Sequence, residues 1–154
     1  MSTFHSASNF KNKIFWKFIQ GNHRGVFANS NFLAGDLIEV CPVILLPIED
    51  PACLGMDGKR ITGWGDSSVL DSYVFSWSEE KEFVICLGYG SLYNHSYEPN
   101  AVYHQNFDDH TIEIRAITEI KDGDEIYINY NKDPSCKHPV WFQIHGAQPL
   151  DSSK

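Results

Sequence analysis

The side chains best suited to chemistry sit in Asn94-His95-Ser96, followed by Pro99-Asn100, and in the tyrosines of Glu125-Ile126-Tyr127-Ile128-Asn129-Tyr130. A histidine beside a serine raises the thought of a hydrolase. Adjacent residues of an extended chain point apart, however, and neither a nucleophile elbow nor a triad accompanies His95-Ser96. The amide of Asn94 suits a zwitterionic ligand, because it offers an acceptor and a donor together. A tyrosine hydroxyl such as that of Tyr130, with a reference pKa of about 10, orients and hydrogen-bonds rather than ionises. Metal chemistry is not indicated. Cys41, Cys53, Cys86 and Cys136 are far apart without a CxxC pair, and Cys136-Lys137-His138 is too meagre for a closed tetrahedral site. Buried free thiols are the expected reading.

The elements that must position these groups read mainly as strands. Ile14-Phe15-Trp16-Lys17-Phe18-Ile19, Gly25-Val26-Phe27-Ala28 and Leu37-Ile38-Glu39-Val40 are short apolar runs divided by turn residues such as Gly35-Asp36. Pro42 and Pro47 bracket Val43–Leu46 as a short edge or bulged strand, since proline cannot donate to an interior ladder. Residues 49–71, with four glycines and no period, read as a loop-rich insert with room for one short helix. Phe83–Leu87 and Thr111–Ala116 follow, the second alternating at period two. Lys121-Asp122-Gly123-Asp124 is a turn into the last run, whose alternation puts Ile126, Ile128 and Tyr130 on one face.

Composition sets the frame. A chain of 154 residues with 42% hydrophobic, 21% charged and 14% aromatic residues is expected to build one globular core. The predicted boundaries are a flexible start over 1–9, one domain with a short closing segment over 10–147, and a flexible tail over 148–154. The polar start and the lack of a run of about 20 apolar residues predict a soluble, intracellular, cytoplasmic protein without membrane contact. Twenty acidic against twelve basic side chains give a formal charge of -8, which disfavours direct nucleic-acid binding and weakly favours a basic partner.

Three segments, in order, resemble the SET-domain family of protein-lysine methyltransferases. Gly90–Ala101 looks like its Asn-His-Ser-x-x-Pro-Asn core; Ile117–Tyr130 is similar to its Ile-x-x-Gly-Glu-Glu-Leu-x-x-x-Tyr close; and His23–Ala28 resembles its glycine-rich opening, with His23 where a first glycine is usual. The resemblance implies a mainly β fold of several small sheets with a pseudoknotted C-terminal segment, a rare exception to unthreaded topology. It also implies an enzyme that moves a methyl group from S-adenosylmethionine to a lysine ε-amine of a protein, leaving S-adenosylhomocysteine. The alternative is a degenerate SET module that binds peptide or cofactor without turnover.

What the resemblance assigns residue by residue is as follows. Tyr130 is the catalytic tyrosine beside the transferring methyl. Arg24, Gly25, Val26, Phe27, Asn94 and His95 contact the cofactor, His95 partly through its backbone. Tyr73, Tyr103 and Ile128 line the lysine channel, although each tyrosine also reads as ordinary core or cross-strand packing. Ile128 together with Tyr103 points to mono- or dimethylation. Many relatives end in a zinc-binding cysteine cluster, which this sequence lacks. Trp141 and Phe142 are the substitutes, stacking on adenine or anchoring the C-terminal segment. The substrate is expected to be a protein or peptide with an exposed lysine, a basic tail among the options, and the aromatic edges leave a homodimer open.

Overall fold

The computed structural model describes residues 13–19, 23–46, 73–78 and 82–140. The insert over 49–71 therefore lies outside the described residues, as do Trp141 and Phe142. The chain divides into two compact units: Met1–Val43 with Cys86–Cys136, and Ile44–Ile85 with Lys137–Lys154. Among the described residues no helix is long and apolar enough to cross a membrane.

The fold is mainly β, in several small sheets, as expected. In chain order the strands are β1 (Ile14–Phe18), β2 (Arg24–Ala28), β3 (Leu37–Leu46), β4 (Val74–Ser76), β5 (Phe83–Cys86), β6 (Asn94–His95), β7 (Ala101–Asn106), β8 (Thr111–Ala116) and β9 (Tyr127–Ile128). A 3-10 turn over Gly90–Leu92 precedes β6. In the first unit β1 and β2 form an antiparallel hairpin, and β8 pairs antiparallel with both β3 and β7. In the second unit β4 and β5 pair antiparallel, Val74 opposite Ile85, and Trp77 and Val84 are buried.

The core of the first unit follows from the period-two patterns. Along β8, Ile112, Ile114 and Ala116 are buried while Thr111, Glu113 and Arg115 are partly exposed, which is what alternation predicts of a half-buried strand. Arg115 and Glu113 form an ion pair at 2.9 Å on the outer face. Val26, Ala28, Phe32, Ile38, Ile120, Ile126 and Ile128 complete the apolar interior.

Two expectations are corrected. β3 is one ten-residue strand running through Pro42, and its register shift lies between Leu37 and Glu39. Pro42 stands opposite Thr111, but its carbonyl accepts the Leu87 N–H at 2.9 Å and the next N–H, of Val43, donates to the His110 carbonyl at 3.1 Å, so by alternation the missing N–H of Pro42 faces away from β8. The second correction concerns Tyr130. Ile126 and Ile128 are fully buried, but Tyr130 is 36% exposed and Asn129 is buried in its place. The strand ends at Ile128 because Asn129 turns the chain: its Oδ1 accepts the Asn131 N–H at 3.0 Å, and its Nδ2 donates to the Cys136 carbonyl at 2.8 Å. Asn129→Ala removes the amide that pairs the Asn131 N–H and the Cys136 carbonyl and is expected to cost about 2 kcal/mol, read as a lower urea midpoint with an unchanged slope.

Candidate functional site

The chemistry-bearing segments meet where β6 and β9 pair as parallel strands, Asn94 opposite Tyr127 and His95 opposite Ile128. The Ser96 N–H extends this ladder to the Ile128 carbonyl at 2.9 Å. Asn100 fixes the return of the chain: its Nδ2 donates to the Glu125 carbonyl and its Oδ1 accepts the Tyr127 N–H, both at 2.8 Å. A side-chain amide that satisfies one donor and one acceptor of another segment acts as a piece of ladder. β2 joins from the other side, with the Ile126 N–H on the Val26 carbonyl at 2.8 Å and a bridge from Phe27 to Glu125.

At the centre of this junction lies Glu125, which the sequence reading quoted within a motif but gave no role. Its Oε1 accepts from Asn94 Nδ2 at 2.8 Å and its Oε2 accepts from the Tyr127 hydroxyl at 2.7 Å. Burial and the carboxylate beside it push the Tyr127 phenol up. Asn94 Nδ2 also donates to the Arg24 carbonyl at 2.9 Å. Both amide hydrogens of Asn94 are thus spent within the protein, and Oδ1 is the atom it presents.

The opening strand behaves similarly. Val26 is fully buried. The Phe27 ring packs on Phe15 at 5.8 Å between centroids, with Lys17 Nζ 3.9 Å from its centroid. Much of the main chain of Arg24–Phe27 is spent as well, on the β1 ladder, on Asn94 Nδ2 at the Arg24 carbonyl and on the Ile126 N–H at the Val26 carbonyl.

Tyr130 is held at three points. Its hydroxyl donates to the Tyr93 carbonyl at 2.9 Å, its N–H donates to His95 Nδ1 at 3.1 Å, and its ring lies 5.2 Å from the His95 imidazole. Accepting at Nδ1 places the imidazole proton of neutral His95 on Nε2. Tyr103 is buried on β7, opposite Ile114, and desolvation pushes its phenol up to about 12. β7 packs against β9, which puts Tyr103 and the fully buried Ile128 on adjoining elements. Tyr73 lies in the second unit. The structure therefore gathers Arg24, Gly25, Val26, Phe27, Asn94, His95, Tyr103, Ile128 and Tyr130 within one unit, and the sequence reading missed Glu125, Asn100 and Tyr93 as the groups that tie them.

Burial pushes the His95 imidazole down to about 4. The unfolded chain, with an imidazole near 6.5, then binds a proton that the folded chain refuses. Stability is complete above about pH 6.5 and falls as pH drops toward 4. The Glu39 carboxyl, raised by burial, contributes with the opposite sign: its penalty is relieved on acidification. Between pH 7 and pH 5 the wild type is expected to lose about 1 kcal/mol more than His95→Gln, a figure reduced for the solvent access of His95. Urea titrations at both pH values measure it, and equal losses in the two proteins would show that His95 is not the group responsible.

Comparison with known proteins bears on the span that holds these residues. The SET-domain family model matches residues 23–131. A histone-lysine N-methyltransferase of Schizosaccharomyces pombe, H3 lysine-37 specific, is 30% identical over 120 residues, 78% of this chain and 70% of its own. The crystal structure of a candidate histone methyltransferase from Plasmodium falciparum is 26% identical with a TM-score of 0.57, covering 79% of this chain and 99% of that one. The Chaetomium thermophilum Polycomb Repressive Complex 2 bound to S-adenosylmethionine shares the fold, with a TM-score of 0.58 at 20% identity over 77% of this chain and 15% of that one. The motif cores, the β6–β9 junction and the tyrosine that follows it all fall inside the matched span, and this chain belongs to the SET-domain family.

Proposed function

We propose that this SET domain is a protein-lysine N-methyltransferase that uses S-adenosylmethionine. The observation that carries the reading is the placement of Tyr130, whose hydroxyl proton is committed to the Tyr93 carbonyl directly before the Asn94-His95 pair. That commitment leaves the oxygen lone pairs of Tyr130 to orient a polar hydrogen or a polarised methyl.

The residues present fit the cofactor. Its ammonium calls for an acceptor, and Asn94 Oδ1 is the atom that Asn94 presents. Its extended body would lie along Arg24–Phe27 and His95, the positions that the resemblance assigns to it. When bound, S-adenosylmethionine brings a methyl group already activated by the sulfonium. The chain has then to align an amine and see that it is neutral, because an ammonium has no lone pair. Free lysine has a pKa of about 10.4, and a desolvated channel lowers it. Ile128 and Tyr103, both buried on elements beside Tyr130, are the walls that would disfavour the charged form. Tyr73, Trp141 and Phe142 remain assigned by resemblance to the channel and the adenine end.

A lysine in a basic tail is the substrate class we favour. The net charge of -8 attracts such a tail, and the relative from Schizosaccharomyces pombe is specific for a histone lysine. The test is transfer of an isotopically labelled methyl group from S-adenosylmethionine to histones, a cell lysate and the protein itself, located by mass spectrometry. Label on lysine is the expected result. A protein that binds the cofactor and labels none of these would be a binding module without turnover.

A further inference from the structure

Below the reacting end of the site the first unit buries a carboxylate that the proposed reaction does not use. Glu39 sits in β3, at the register shift against β8. That bulge lets two consecutive residues, Ile38 and Glu39, both face inward, and re-aiming a side chain is what bulges do. The loop after β5 closes around the carboxylate. The Tyr89 N–H donates to Glu39 Oε1 at 2.9 Å, and the Tyr93 hydroxyl donates to Glu39 Oε2 at 2.9 Å. Gly88, at φ +68°, passes so near that a Cβ there would collide with Glu39 Oε1. Residues 89–93 are thus gripped at both ends by one side chain, with the 3-10 turn between them closed by the Leu92 N–H on the Tyr89 carbonyl at 2.8 Å. Tyr93 itself is extended, with φ -67° and ψ 131°, and its ring is buried. Its phenol end is fixed by Glu39, and its carbonyl accepts the Tyr130 hydroxyl at 2.9 Å.

Removing a carboxylate from water is costly, and an apolar residue of similar volume would fill such a space more cheaply. The return on that cost is geometric. We propose that Glu39 and Tyr93 are positioning residues for Tyr130: the buried carboxylate grips the Tyr89–Tyr93 turn and sets the Tyr93 carbonyl where it takes the Tyr130 hydroxyl proton. This inference rests on the methyl-transfer reading. It makes the clamp part of the alignment of the methyl and the amine, in which small misplacements are expensive.

The experiment compares the wild type, Tyr93→Phe, Glu39→Gln and Ile120→Val by single-turnover methyl transfer at a temperature well below every melting point. Cofactor affinity is measured in parallel. Ile120 is fully buried away from the clamp, and its variant serves as a control destabilised by packing alone. Tyr93→Phe keeps the ring and removes the clamping hydroxyl. Its transfer rate is expected to fall about tenfold, with cofactor affinity within twofold, while Ile120→Val transfers at the wild-type rate. In a Tyr130→Phe background the same Tyr93→Phe change is expected to lower the rate less than twofold, because the proton it positions is gone. Glu39→Gln should fall between wild type and Tyr93→Phe; if it does not fold, the Tyr93 pair of measurements still decides. An active wild type with Tyr93→Phe no slower than Ile120→Val overturns the clamp alone, and so does an undiminished tenfold loss in the Tyr130→Phe background. A wild type that binds the cofactor and transfers nothing to any substrate overturns the methyl-transfer reading and the clamp with it.

Discussion

Tyr130→Phe is expected to lower methyl transfer about a hundredfold while cofactor affinity stays within twofold of wild type. The change deletes one oxygen and little else. The Tyr130 N–H on His95 Nδ1 and the ring packed 5.2 Å from the imidazole both survive it, so the phenylalanine ring should occupy the tyrosine position. The lost oxygen is the one held by the Tyr93 carbonyl. Its absence removes an interaction made with the reacting groups and not with the bound cofactor. The kinetic signature is therefore a fall in kcat with little change in the KM for cofactor. Stability should change little, because Tyr130 is 36% exposed and a partly solvated hydroxyl adds about 1 kcal/mol or less. Single-turnover transfer with labelled cofactor measures the rate, and calorimetric titration measures the affinity. Transfer within threefold of wild type would remove Tyr130 from the reacting centre.

Much of this arrangement was legible in the sequence, for identifiable reasons. Thr111–Ala116 alternates without interruption, and β8 has those bounds and that burial. Lys121-Asp122-Gly123-Asp124 carries its own turn chemistry, with the Asp124 N–H on the Lys121 carbonyl and Asp124 Oδ2 accepting the Lys121 N–H, both at 3.0 Å. The resemblance pointed to Asn94, His95 and Tyr130 from two separate segments, and the structure brings those segments together at the β6–β9 junction. What did not show was decided by tertiary partners. The two residues of β6 and the two of β9 are too short for any period to mark them, and they exist because Asn100 and the Ser96 N–H tie one to the other. Alternation placed Tyr130 with Ile126 and Ile128, but a side-chain turn at Asn129 ended the strand first. Glu39 stood within the short apolar run Leu37–Val40 with no role of its own, and only the bulge and the loop from Gly88 reveal it as buried.

Gly25→Ala is expected to destabilise the protein by about 3 kcal/mol and to weaken cofactor binding at least tenfold. A Cβ at residue 25 would run into Glu125 Oε1 and would lie 2.8 Å from Ile19 Cδ1. The isoleucine tip can swing away, since Ile19 is exposed. The carboxylate cannot move without losing Asn94 Nδ2 and the Tyr127 hydroxyl. Overpacking of this kind costs about 1 to 3 kcal/mol, and a hydrogen bond to a charged group contributes about 1.5 to 3. These overlap, because one displacement causes both. The functional loss has a separate origin: with Glu125 displaced, the Asn94 amide loses one of the two acceptors that fix which way Oδ1 points. That separation makes a double variant informative. Adding Glu125→Ala to Gly25→Ala removes the clash, so part of the stability should return and the two changes should be non-additive in urea unfolding. Cofactor affinity should not return, since Asn94 then lacks its carboxylate partner altogether. Recovery of both would mean that Glu125 only fills space beside β2, and recovery of neither would place the damage of Gly25→Ala in the strand itself.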